Sequence, residues 1–163
     1  MAYFLTFSTY GAHLPGDARA STDRNAGRIP VQPALETFAH RLMPEVPFRL
    51  EHPADRSVVL HAIVEVCRQR EWRLMALHVR CEHVHGLVQA EDATPGKVMG
   101  DWKAYSSRPL RIRWPVRRQF WARGGDARSV QGSVDSLLVY ILDGQGDQME
   151  TYDGSHPTAN AVG

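Results

Sequence analysis

Three groups of residues in this chain could do chemistry by type and spacing. The first is His83-Val84-His85. On a strand, residues two apart point to the same side, and their Cα atoms lie roughly 7 Å apart. Two imidazoles so placed can converge on one divalent cation, although strand ends also carry ordinary histidines with no such role. The second is Tyr140, set in the apolar stretch Val134, Leu137, Leu138 and Ile141. At ~100° per residue it falls roughly 120° from the centre of that stripe, so its hydroxyl is offered at the flank of a packed face. The third runs from Lys97 to Arg128. It contains Lys97, Lys103, Arg108, Arg111, Arg113, Arg117, Arg118, Arg123 and Arg128 against Asp101 and Asp126, a net charge of +7. Trp102, Tyr105, Trp114, Phe120 and Trp121 are interleaved with those cations. Cations that neutralise phosphates, alternating with rings on which bases stack, suit single-stranded or hairpin nucleic acid. A solvated helix face followed by core aromatics is the plainer account of the same pattern.

Elements must hold these groups in place. Tyr3 to Tyr10 is rich in aromatic and β-branched residues and reads as a first strand. Gly11 to Pro33 reads as a long loop, and Ala34 to Met43 has helical spacing at Leu35, Phe38, Ala39 and Leu42. A short strand is expected at Phe48 to Leu50. A stronger helix is expected from Asp55 to Glu71, with the stripe Val58, Val59, Ala62, Ile63, Val66 and Cys67. Arg73 to Val79 and His83 to Gln89 form a hairpin that carries the histidine pair. Thr94-Pro95 reads as the cap and first residue of a helix that reaches Pro109. An extended segment, Gln119 to Val130, is broken at Gly124-Gly125, and a last helix begins at Ser133, covers Val134 to Asp143 and ends at Gly144-Gln145-Gly146. Beyond Thr151 the chain is small and polar and reads as a frayed tail. The order predicts an α+β domain of ferredoxin-like type, an antiparallel sheet with helices packed on one face.

Composition bounds the rest. With 163 residues, 43% hydrophobic and 23% charged, the chain suits one soluble domain, expected over residues 1–150 with a flexible tail over 151–163. No window approaches a membrane span or a signal peptide, so a cytoplasmic setting is expected. Cys67 and Cys81 read as reduced core thiols.

Four segments together resemble a known family. They are Tyr3-Phe4-Leu5-Thr6-Phe7-Ser8-Thr9-Tyr10-Gly11 with Leu14-Pro15-Gly16-Asp17, then the hairpin ending in His83-Val84-His85. Trp102-Lys103-Ala104-Tyr105-Ser106-Ser107-Arg108 and Tyr140-Ile141-Leu142-Asp143-Gly144-Gln145-Gly146 follow. In this order the chain resembles the single-tyrosine HUH transposases, including the repeat-associated tyrosine transposases, from Met1 to Met149. The resemblance implies a single-stranded DNA endonuclease and strand transferase of the HUH fold that cuts near DNA hairpins. It implies a Mg²⁺ or Mn²⁺ ion held by His83 and His85, and Tyr140 as the nucleophile that stays joined to the 5′ end. A phenol is a tolerable leaving group, so such a covalent step is reversible.

A third, oxygen-bearing ligand is expected because Mg²⁺ prefers oxygen. Relatives carry a glutamine about one helical turn after the tyrosine. Here Gln145 is five residues on and matches best, Asp143 is the alternative, and Glu82 alternates to the other strand face. The resemblance further implies a homodimer whose subunits share active sites. Lys97, Lys103, Arg108, Arg111, Arg113, Arg117, Arg118 and Arg123 with Trp121 would be the DNA-binding surface. Two other readings stay open: a domesticated hairpin binder that no longer cuts, and a metal-dependent hydrolase with water as nucleophile.

Overall fold

The fold was analysed in a computed structural model that describes residues 1–13, 21–23 and 27–156. Leu14 to Asp17, part of the quoted opening segment, lie outside the described residues. In chain order the elements are β1 (Ala2–Ser8), β2 (Ser21–Asp23), β3 (Gly27–Ile29), α1 (Pro33–Leu42), α2 (Pro53–Gln69) and β4 (Arg73–Val79). They continue with β5 (His83–Gln89), α3 (Pro95–Arg113), β6 (Asp126–Ser129), α4 (Val134–Leu142) and β7 (Glu150–Asp153). Five strands form one antiparallel sheet in the order β6-β1-β5-β4-β7, and β2 pairs with β3 as a small separate hairpin. This is the expected α+β class.

Register assigns the two sheet faces. Thr6 pairs with His85, Phe4 with Leu87, and Ser8 with His83, so these residues share a side. Tyr3, Leu5 and Phe7 point the other way and join Val59, Ile63, Val66, Val98 and Trp102 in the main core beneath α2 and α3. On the histidine side, Phe4, Ala76, Leu87 and Ile141 make a smaller cluster under α4. The helices therefore do not all lie on one face: α4, with Tyr140, covers the side opposite α2 and α3. Its narrow stripe needs only a small apolar patch, and Phe4, Ala76 and Leu87 supply it.

The central strand β5 is sandwiched closely. A Cβ on Gly86 would lie 2.6 Å from Cη2 of Trp102, so only glycine lets the indole approach β5 this closely. Trp102 is fully buried and is the largest such side chain in the core. The turns around the histidines are fastened by main-chain bonds: Thr9 N–H donates to Glu82 O and Tyr10 N–H to Phe120 O, each at 2.8 Å.

Three boundaries differ from expectation. Helix α3 does not stop at Pro109 but runs to Arg113, since buried Leu110 and the ion pair from Arg113 to the fully buried Asp55 anchor its last turn. Phe48 to Leu50 is not a ladder strand, although Phe48 N–H donates to Tyr10 O and Leu50 N–H to Cys81 O at 2.8 Å. Thr151, Tyr152 and Asp153, expected in the tail, belong instead to edge strand β7. That strand pairs with β4, and Glu150 at its start bonds Arg56 of α2. β-branched and aromatic residues there suit a pleated edge. Cys67 is buried and Cys81 partly so, and both are free thiols; burial pushes the Cys67 thiol up to about 12.

Candidate active site

His83 and His85 stand on one face of β5, as their spacing requires. Their rings are stacked with centroids 5.9 Å apart and planes inclined by 29°. Each has a neighbour on a different element. Nδ1 of His85 lies 3.1 Å from Oγ1 of Thr6, its cross-strand partner on β1. Nε2 of His83 lies 2.7 Å from Nε2 of His13, in the turn after β1.

His85 is 8% exposed, and burial, helped by His83, His78 and Arg80 nearby, pushes its pKa down to about 4. It is therefore neutral at pH 7 and keeps a lone pair for a ligand. Beside it on β4, fully buried His78 uses both ring nitrogens: Nδ1 is 2.9 Å from Ile141 O, and Nε2 accepts from Met149 N–H at 3.1 Å. The accepting Nε2 assigns the proton to Nδ1, which donates to Ile141 O. His78 thereby fastens the end of α4 to the sheet as a neutral ring, and burial lowers its pKa.

Helix α4 starts at Ser133, whose hydroxyl accepts from Ser136 N–H at 3.4 Å. Buried Ile141 sets the helix rotation, and Tyr140 then faces outward, 46% exposed. Its ring meets His85 edge to face with centroids 6.4 Å apart, and Phe4 likewise at 6.2 Å. Phe4, Arg128, Ser133, Ser136, Leu137 and Tyr140 are among the residues lining an open cavity of about 550 Å³. A tyrosine hydroxyl, an imidazole pair and a cavity are thus contiguous on one side of the sheet.

The carboxamide of Gln145 donates to Tyr140 O at 3.2 Å, capping the helix end after Gly144. Asp143 is the exposed C-cap residue. Glu82, in the turn between β4 and β5, takes an ion pair from Arg49. Among the described residues, no three of His, Cys, Asp and Glu stand together in an arrangement that could hold an ion.

Residues 49–143 match the model of the IS200-like transposases. The chain belongs to the IS200-like transposase family. The matched stretch carries both histidines and Tyr140. Among solved structures this IS200-like transposase is similar to a REP-associated tyrosine transposase bound to a REP hairpin, at 14% identity and a TM-score of 0.48. That match covers 86% of this chain and 64% of the other, so the transposase spans just under two thirds of that protein. A Deinococcus radiodurans R1 crystal structure described as a candidate transposase matches at 14% identity and a TM-score of 0.49, covering 89% of this chain and 90% of that one. No curated protein matches the sequence.

The basic segment of the transposase divides in two. Lys103 donates to Ala122 O and Gly124 O and lies 5.4 Å from the centre of the Phe7 ring. Arg113 pairs with Asp55, and Arg117 bonds Gln119 O and Val46 O while stacking on Tyr10 and Phe48. Trp121 packs edge to face on Phe7, 5.0 Å between centroids. These four hold the loop after α3 to the core. Lys97 pairs with Asp101 one helical turn on. Arg108, Arg111, Arg118 and Arg123 are exposed, and Arg108 stacks on Tyr105 at 4.2 Å. Helix α3 lies across the sheet from the histidines.

Sequence reasoning missed Thr6, His13 and His78, and it gave Arg128 only as the end of the basic segment. Arg128 pairs with Phe4 across β6 and β1, lies over its ring and borders the Tyr140 cavity. Alternation along β1 was a signal for Thr6, which falls on the side away from Leu5 and Phe7. Nothing local marks His13 and His78, because strand pairing and the β1 turn bring them in.

Proposed function

We propose that this transposase cuts and rejoins single-stranded DNA beside hairpins through a covalent 5′-phosphotyrosine intermediate. The observation that best supports this reading is the edge-to-face meeting of Tyr140 with His85, beside His83, on the rim of a cavity. The Tyr140 oxygen forms a bond to phosphorus and releases its proton. The bond from phosphorus to O3′ breaks, O3′ leaves as a hydroxyl on taking up a proton, and the 5′ phosphate stays on the tyrosine. Attack by a 3′ hydroxyl on that phosphotyrosine reverses the step with no outside energy.

The donor set suits a divalent ion in its nitrogen part: two adjacent imidazoles, one held neutral by burial and oriented by Thr6. His83 and His85 would hold Mg²⁺ or Mn²⁺, with Oε1 of Gln145, or Asp143, as an oxygen donor. Such an ion supplies Lewis-acid stabilisation of charge on the phosphate oxygens. Burial keeps His85 a neutral donor, Thr6 orients its ring, and Phe4 and Ile141 fix the helix that aims Tyr140. Exposed Arg108, Arg111, Arg118 and Arg123 would neutralise hairpin phosphates on the α3 side, and a homodimer that shares active sites completes the reading.

The test incubates the protein with labelled hairpin-bearing single-stranded DNA and Mn²⁺ or Mg²⁺, followed by a denaturing gel. A protein–DNA adduct, absent in Tyr140→Phe and His83→Ala, is expected. Cleavage without adduct, unchanged in Tyr140→Phe, overturns the covalent step in favour of water as nucleophile. Tight hairpin binding without cleavage marks a binder that no longer cuts.

A further inference from the structure

His13 enters the histidine face from outside β5. Its position is built by the turn after β1. Gly11 has φ +78, and a Cβ there would lie 2.8 Å from both Met43 and Pro47, so the turn is closed by packing on a conformation that favours glycine. Ala12 N–H donates to Thr9 O at 3.2 Å, and Thr9 N–H to Glu82 O, the residue before His83. This fastening leads His13 to His83: the two Nε2 atoms face each other at 2.7 Å with ring centroids 5.0 Å apart. His83 is thus the middle ring of three, with His13 on one side and His85 on the other.

Two neutral imidazoles that face each other through Nε2 share one proton. A divalent cation at the same point takes both lone pairs once the protonated ring moves its proton to Nδ1. Neighbouring ligands ~2.1 Å from one ion are on the order of 3 Å apart, close to the observed separation. We propose that His13 is the third protein ligand of the ion held by His83 and His85. A three-imidazole set of this kind selects a borderline ion, Mn²⁺, Co²⁺ or Zn²⁺, over Mg²⁺. The inference rests on the reading of His83 and His85 as ligands. As placed, the three rings do not yet converge; His13, an exposed ring at the end of a turn, closes the set by side-chain rotation.

The experiment titrates the purified full chain with Mn²⁺, without DNA, by calorimetry and by paramagnetic broadening of histidine ring resonances. Circular dichroism checks that each variant is folded. His13→Ala is expected to weaken Mn²⁺ at least tenfold, as are His83→Ala and His85→Ala. Wild-type protein should bind Co²⁺ and Mn²⁺ at least tenfold more tightly than Mg²⁺, and Mn²⁺ should broaden the His13 ring signal. If His13→Ala binds Mn²⁺ within twofold of wild type while His83→Ala and His85→Ala do not, His13 is not a ligand and the pair alone stands. If the wild-type protein binds no Mn²⁺, or none of the three variants weakens it, the metal reading of His83 and His85 falls and the proposal falls with it.

Discussion

Thr6 and His85 are partners across the β1–β5 ladder, with Oγ1 of Thr6 3.1 Å from Nδ1 of His85. When Nε2 of His85 serves a ligand, Nδ1 carries the proton and donates it to Thr6. Outer partners of this kind are worth roughly ten- to a hundredfold in metal affinity. Thr6→Val keeps the shape and loses the acceptor. It should lower Mn²⁺ affinity by about that factor and slow adduct formation, while Thr6→Ser should restore most of both. Calorimetry with the purified variants measures the first effect, and the denaturing gel the second.

Gly86 and Trp102 make a second, purely steric relationship. A methyl at Gly86 would meet the indole at 2.6 Å, with Leu77 Cδ1 3.2 Å away on the same side. Overpacking of this sort costs typically 1–3 kcal/mol. Gly86→Ala should destabilise the fold by about that amount, read from the urea midpoint, and broaden the His85 ring signals as β5 shifts. An unchanged midpoint would mean that Trp102 does not pack closely on Gly86.

Much of the fold was legible because apolar periodicity reports it directly. Both hairpin strands fall at Arg73–Val79 and His83–Gln89 as expected, and Thr94 and Ser133 cap α3 and α4 as their residue types suggested. The side of the sheet on which α4 lands was not legible. Its stripe says that it packs but not on what, and the answer depends on Phe4, Ala76 and Leu87 from three different strands. The same holds for the site. His83, His85 and Tyr140 carry recognisable chemistry in local spacing, whereas Thr6 and His13 acquire theirs through pairing and a turn. The basic segment misled in part because charge alone does not separate Arg113, committed to Asp55, from Arg111, exposed two residues earlier.

That contrast predicts two classes of arginine variant. Arg113→Ala leaves fully buried Asp55 with the Trp114 Nε1 bond at 3.2 Å and without its cation. Because Arg113 is itself partly exposed, a loss of about 1–3 kcal/mol is expected, seen as a lower melting temperature. Arg108→Ala with Arg111→Ala should leave the melting temperature within a degree or two. It should weaken hairpin binding and flatten the salt dependence of log K by roughly one unit of slope per lost phosphate contact. Fluorescence anisotropy at several salt concentrations separates the two. Equal salt slopes for wild type and the double variant would remove these arginines from the binding surface.

The locked ring of His78 predicts how stability depends on pH. In the folded chain its Nε2 accepts from Met149 N–H and its Nδ1 faces Ile141 O, and burial lowers its pKa below the ordinary 6.5. Arg80 opposes its charging and Glu150 favours it, the smaller influences around the ring. Since the unfolded chain takes up the proton first, the unfolded state binds more protons below pH 6.5, and stability falls as pH falls. The contribution is fully present above the unfolded value and is lost on acidification toward the folded one. His85, lowered to about 4, adds to the same trend. Urea unfolding at pH 7.5, 6.5, 5.5 and 5.0 should therefore give a declining free energy. His78→Gln, whose amide can still donate to Ile141 O, should be less stable at pH 7.5 but show a shallower decline. A wild-type curve flat between pH 7.5 and 5.0 would mean that His78 takes up its proton as readily in the folded chain as in the unfolded one, and that Nε2 does not accept from Met149.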